Sequence, residues 1–368
     1  MLPVVLSTIV TVLALPPAAG GADTVYELPL PAGSTHSTVR AMNDAGDVVG
    51  HAFGDDGTGR LVRWGADGSL TLLQGAGGGS GGSAAGMAED GTVAGSADTP
   101  DGVRHPARWD ASGRLTRLEE PSGFVEGEVL DVNDARVAVG HLSTGSAVFP
   151  ARWGADGRAV LLRLPARATG GTATGINGKG EVTGHVSLPG DRTRAVLWDR
   201  TGRVHDLGSL GGAYAEPSDI NDRGTVVGLA PDADGTWKAA QAPRGGRLKA
   251  LPSQEAGARG VHLGGSDVVV GNVKDRSLRW SGGTAVELRW VAGSGPTSVR
   301  GVNDAGTSIG TSGAYAVTWD AQGKPTALPV PAGAGRGEPV AINGAGVMAG
   351  NAAEPGTWPV RWRAVVWR

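Results

Sequence analysis

The strongest constraint on the fold is a nine-residue stretch, "INDRGTVVG" at 220–228, that returns as "MNDAGDVVG" at 42, "INGKGEVTG" at 176, "VNDAGTSIG" at 302 and "INGAGVMAG" at 342. Aligned on its closing glycine it gives Gly50, Gly95, Gly140, Gly184, Gly228, Gly271, Gly310 and Gly350, in steps of 45, 45, 44, 44, 43, 39 and 40 residues. Eight residues before each glycine stands an apolar side chain: Met42, Met87, Val132, Ile176, Ile220, Leu263, Val302 and Ile342. Self-similarity at a fixed period of this length is the mark of a repeat architecture.

The repeat itself reads as a hairpin. Seven residues before the closing glycine, six units carry asparagine: Asn43, Asn133, Asn177, Asn221, Asn303 and Asn343. Four before it, six units carry glycine, with Arg136 and Asp267 in the other two. Asn-x-x-Gly between apolar runs suits a type I turn closed by a left-handed residue. Carboxylate and amide oxygens also suit calcium, but units reading "NGKG" and "NGAG" lack the carboxylate, so the turn is the better account.

Each hairpin is followed by a third apolar run that ends in tryptophan, at Trp64, Trp109, Trp153, Trp198, Trp280, Trp319 and Trp367, with Ala242 in unit five. "PVRW", ending at Trp362, is a second candidate for the last of these strands. Units six and seven shorten the connection before this run by about five residues. A fourth run ends in leucine, as in "GSLTLL" and "GRVHDL". With 64 glycines and 22 prolines, long helices are disfavoured. Four strands in about 43 residues are what a propeller blade requires.

The ends of the repeat decide between ring and rod. Unit eight stops at Arg368, after its tryptophan strand, whereas "YELPLPAG" at 26–33 is an orphan that matches "TALPVPAG", the fourth run of unit seven. We therefore expect an all-β, eight-bladed propeller over residues 23–368, closed by the N-terminal strand, with seven blades as the alternative because unit six reads "LGGSDVVVG".

Residues 205–228, "HDLGSLGGAYAEPSDINDRGTVVG", with "RAVLWDRTGRVHDLG" at 194–208, resemble the HAF-repeat family of extracellular repeat proteins. The pattern extends over all eight units and is sharpest in units four and five. The triplet "HAF" at 51–53 stands outside that family's register, just after a closing glycine. The resemblance implies an exported repeat protein and carries no catalytic residues. Export is also what residues 1–22 suggest, because the uncharged apolar run from Leu2 to Leu15, then Pro16, Pro17 and small residues, resembles a secretory leader cleaved before Asp23. The run is too short to span a bilayer, and no second span follows it.

Chemistry is harder to find. A formal charge of −3 offers no footprint for nucleic acid, and the absence of cysteine excludes disulfides and thiolate metal sites. "GGSGG" at 78–82 places Ser80 in a nucleophile-elbow pattern, but in a glycine-rich connector without the strand-to-helix context. "DADG" at 232–235 looks like a turn rather than part of a calcium loop, and we expect neither metal nor cofactor. His51, His141 and His185 share a register and are expected to face solvent or strand ends. His262 interrupts the first strand of unit six, and no repeated position stands out as carrying paired carboxylates.

The seven in-register tryptophans are expected to pack between blades. Trp237, Trp290 and Trp358 fall outside that register, with Trp237 and Trp358 expected on loops between second and third strands, and these three are the candidate ligand-binding residues. The expected protein is a monomeric, non-catalytic secreted scaffold for a protein or glycan. The alternative is a propeller enzyme, a lyase or glycoside hydrolase, with its site at the channel mouth.

Overall fold

The computed structural model describes residues 24–76, 82–252, 257–357 and 360–368. The leader, Ser80 and Trp358 lie outside them. The described residues hold no helix and form eight four-stranded antiparallel sheets arranged as the blades of one β-propeller. In blade 1 the strands run from the centre outwards as His36–Met42, Val48–Phe53, Gly59–Trp64 and Leu70–Leu72. Blade 8 takes Arg336–Ile342, Met348–Ala353 and Trp362–Trp367 from the end of the chain and its outer strand, Val25–Glu27, from the beginning. The pairing is Val25 with Trp367, Tyr26 with Val366 and Glu27 with Val365. The last tryptophan strand thus ends at Trp367, and Trp362 begins it.

Antiparallel order gives the ring two unlike faces. One bears the inner hairpin turns and the turns between third and outer strands. The other bears the loops between second and third strands and the connectors from blade to blade.

Why the repeat closes in glycine is a matter of space. Each inner strand carries a bulge, as between Val39 and Ala41, that pushes a carbonyl over its neighbour. A Cβ on Gly50 would lie 1.9 Å from the Thr38 oxygen, and one on Gly140 would lie 1.9 Å from that of Glu128. In blade 6 the bulge moves to Gly260, and Gly271 has more room, its nearest neighbour being 3.0 Å away.

The asparagines do more than hold their turns. The side-chain oxygen of Asn43 accepts the Asp47 amide at 2.8 Å, while its Nδ2 donates to the Ala88 carbonyl of the next blade at 3.2 Å. The same cross-blade bond runs from Asn133, Asn177, Asn221 and Asn303, and Asn343 completes the belt by donating to Asp44 at 3.1 Å. The amide that follows also reaches a carboxylate of the next blade, Gly178 to Asp222 and Gly344 to Asp44, and this bond persists from Glu89 to Asp134 and from Gly265 to Asp304 where Ala88 and Gly264 replace asparagine. The Asn-Asp pair is therefore a ring of inter-blade hydrogen bonds.

All seven in-register tryptophans are buried. Each indole N–H also donates to a backbone carbonyl just beyond the outer strand of the preceding blade: Trp64 to Pro29 at 2.8 Å, Trp153 to Glu119 at 2.9 Å, Trp367 to Pro329 at 2.7 Å, with Trp109, Trp198, Trp280 and Trp319 alike. In blade 5, Ala242 stands in this position and packs in a buried cluster with Leu248, whose amide donates to the Leu207 carbonyl at 2.9 Å.

Candidate functional site

Among the described residues, the aromatic side chains more than a third exposed stand on one face. Tyr214, Trp290 and Tyr315 are 41%, 61% and 50% exposed, and all stand on the face of loops and connectors. Burying such side chains is favourable, so an indole left more than half exposed is informative about a surface.

The sector around Trp290 is built by the shortened units. In blade 6 the second and third strands, Val269–Val273 and Arg276–Ser281, are joined by Lys274 and Asp275 alone, with Lys274 at a φ of 53°. In blade 7, Ser308–Ser312 and Tyr315–Trp319 are joined by Gly313 and Ala314, with Gly313 at 57°. Two adjacent short hairpins lower the rim. The connector between these blades crosses the gap, its Val291 amide donating to Ser312 Oγ at 2.9 Å, and so carries Trp290 towards the hairpin that ends at Tyr315. At the foot of Trp290 a cavity of about 370 Å³ is lined by Asp275, Arg276, Glu287, Leu288, Arg289 and Thr297 among others. Arg276 and Glu287 pair at 3.6 Å.

Trp237 is placed differently. It opens the third strand of blade 5, Trp237–Ala242, rather than sitting on the loop before it, because Pro231 pairs opposite. Its ring stacks on Tyr214 at 6.5 Å with 9° between planes, so that one face is covered from within the chain. Trp237 and Trp290 are in different sectors and do not form one site. Trp358 lies outside the described residues.

The channel wall corrects the expectation about carboxylates. Nine residues before the closing glycine, where other blades have Ala, Gly or the singular His262, blades 3 and 5 carry Asp131 and Asp219. Asp131 accepts the amides of Val132 and of Ile176 in the next blade, both at 2.8 Å, and Asp219 accepts that of Ile220 at 2.7 Å. These amides lie on the free edge of the inner strands, so the carboxylates satisfy donors that no strand covers. Burial pushes Asp131 up to about 7, with the Asp219 charge adding to it, and raises Asp219 as well. His262 is lowered to about 4 by burial, then by Arg300. The signal in the sequence was two aspartates in one column of eight.

The histidines in register are half-buried, and His51 reaches across a seam between blades. His51 Nε2 lies 2.9 Å from the Gly82 carbonyl of blade 2, and in the same column Ser96, Asn272 and Asn351 accept inner-strand amides of the following blade. Burial lowers His141 and His185. On the opposite face, a cavity of about 400 Å³ between blades 4 and 5 includes Glu181, Asp199, His205 and Arg244. Within it Arg244 pairs with Glu181 at 2.6 Å, and His205 Nε2 lies 2.9 Å from Asp199 Oδ2. Asp232 caps its own turn through the amides of Asp234 and Thr236, as a turn reading of "DADG" requires. Among the described residues no group of three His, Cys, Asp or Glu side chains is arranged to hold a metal ion, and no helix is long and apolar enough to cross a membrane.

No protein-family model matches the chain, and no curated protein matches it. Solved structures do. The β-propeller domain of the trilobed protease from Pyrococcus furiosus is 10% identical, with 80% of this chain and 99% of that one covered at a TM-score of 0.53. Dipeptidyl peptidase 4 of Porphyromonas gingivalis is 9% identical, with 87% and 58% covered at 0.57. A puromycin-hydrolyzing peptidase of Mycobacterium tuberculosis is 16% identical, with 90% and 61% covered at 0.51. The Pyrococcus domain is described as having an open velcro topology, whereas the N-terminal strand seals the last blade here. At these identities the likeness is one of fold, and the fold is the β-propeller.

Proposed function

We propose that this chain is a secreted, non-catalytic propeller that binds an extracellular partner through the recessed sector of blades 6 and 7. The observation that carries the reading is Trp290, 61% exposed above a largely apolar cavity with a few charged residues in its lining. A few convergent polar groups beside an apolar surface are the ordinary makings of a binding site. Export is supported by the leader-like residues 1–22 and by the resemblance of residues 205–228 to the HAF-repeat family. Against catalysis stands the use of the Asp131 oxygens, both of which hold backbone amides.

The test is a double variant, Trp290→Ala with Tyr315→Ala. Labelled full-length protein should bind surface material of the cells that produce it, and the variant should lose that binding while melting within a degree or two of the parent. Equal binding by parent and variant would refute the assignment. Protein recovered from the medium should begin at Asp23, and a start at Met1 would refute export.

A second reading, an enzyme at the channel mouth, draws on the three titratable side chains Asp131, Asp219 and His262 in one column of the wall. Turnover of any polysaccharide that disappears in His262→Ala but not in Trp290→Ala would favour it.

A further inference from the structure

We infer that the Trp290 recess takes a neutral carbohydrate, one sugar ring lying against the indole with its hydroxyl edge in the cavity. This rests on the binding role proposed above and narrows it to a ligand class. Three features select that chemistry. Trp290, 61% exposed, offers an apolar surface in water that matches the C–H face of a pyranose, and among the described residues no aromatic ring stacks on it, unlike Trp237. The lining of the recess is largely apolar but includes both acceptors and donors, Asp275 and Glu287 with Arg276 and Arg289, of which Arg276 and Glu287 pair with each other at 3.6 Å. A hydroxyl both donates and accepts, so a ring of hydroxyls can use such a mixed lining at every position, whereas a purely accepting or purely donating ligand can use only half of it.

The third feature is charge. Two carboxylates and two guanidinium groups sum to zero. A cationic ligand on the indole would meet Arg276 and Arg289, and an anionic one would meet Asp275 and Glu287, so neither gains net Coulomb attraction. Tyr315, half exposed, pairs with Ser312, the residue that the Val291 amide next to Trp290 reaches, and so supplies a further aromatic surface near the recess. The cavity of about 370 Å³ lies at the small end of ordinary ligand pockets, suited to one ring rather than to several.

The experiment uses the full-length protein in affinity electrophoresis through gels holding cellulose ether, soluble chitin, arabinoxylan or mannan as neutral polymers, with alginate and heparin as charged ones. Retardation by at least one neutral polymer is expected, relieved by its own oligosaccharides. Trp290→Ala should weaken it about tenfold, as expected for loss of a stacking surface. Asp275→Asn should weaken it less, and Trp290→Phe should retain most of it. No retardation by any neutral polymer overturns the inference, as does retardation by charged polymers alone or retardation unchanged in Trp290→Ala. If Trp290→Ala abolishes cell-surface binding while no polysaccharide retards the parent, the binding role stands and the carbohydrate assignment falls. If Trp290→Ala changes neither, both fall.

Discussion

Asn177 is the residue at which the ring belt can be tested most sharply. Its Oδ1 accepts the amides of Lys179 at 3.1 Å and Glu181 at 2.9 Å, and its Nδ2 donates to the Asn221 carbonyl of blade 5 and to Glu181 Oε2, each at 2.9 Å. Asn177 is 4% exposed, so water cannot replace all four bonds once the side chain is removed. A buried bond is worth roughly 0.5–1.5 kcal/mol net, and an orphaned buried partner costs about 1–3 kcal/mol. Since the four share two atoms and do not add independently, Asn177→Ala should cost about 3 kcal/mol. Asn177→Asp should cost as much at pH 7, because a carboxylate would face both the Asn221 carbonyl and Glu181. It should recover partly near pH 4, where the acid can donate. The reverse change at the natural gap, Ala88→Asn, should stabilise by about 1 kcal/mol by restoring a bond to the Asn133 carbonyl. Urea unfolding followed by tryptophan fluorescence reads all three. A loss below about 0.5 kcal/mol for Asn177→Ala, the size of an ordinary surface change, would refute the belt as a source of stability.

Arg136 has a φ of 58° at the turn position where six blades have glycine, and its exposed pairing with Asp90 at 3.6 Å contributes little. Arg136→Gly should therefore stabilise by up to about 1 kcal/mol in the same urea assay, and clear destabilisation would contradict it. Ser308 is fully buried with no partner for its hydroxyl among the described residues, in a column where other blades place Val, Ala or Met. Ser308→Ala should raise stability by about 1 kcal/mol, and a loss would mean that the hydroxyl has a partner after all. Asp131 has its carboxyl raised from 3.8 to about 7 by folding, so its contribution is present in full below about pH 4 and is lost as pH rises through about 7. Parent protein should lose stability between pH 5 and pH 8 by an amount on the order of 2 kcal/mol that Asp131→Asn does not lose, and parallel profiles would contradict this.

Much of the ring could be read before any coordinates. Spacing gave eight blades, the tryptophan columns gave the packing between them, and the match of residues 26–33 to 326–333 gave the closure. What escaped depended on which atom meets which. The closing glycine is visible as a letter, but its cause is a bulge that drives the Thr38 carbonyl into the space of a Cβ. An indole at Trp64 looks like bulk until its N–H is found on the Pro29 carbonyl. Asp131 and Asp219 share a column, yet two residues in eight do not stand out until both are seen lining one channel and serving edge amides. The five-residue shortening of units six and seven was apparent, whereas its result, a lowered rim that leaves Trp290 exposed, needed two neighbouring blades in space. Trp237 shows the opposite limit, since an aromatic outside the register turned out to stack on Tyr214.

The closed ring itself can be tested by hydrogen–deuterium exchange at the seam of blade 8. Leu28 donates to Ala364 at 2.8 Å, Thr24 donates to Arg368 at 3.3 Å, and Arg368 donates back at 3.1 Å. Peptides covering residues 24–28 should exchange as slowly as the outer strand of blade 1, Leu70–Leu72, in the intact protein. Exchange at the rate of an unstructured chain in residues 24–28, with the rest of the protein protected, would contradict a propeller sealed by its N-terminal strand.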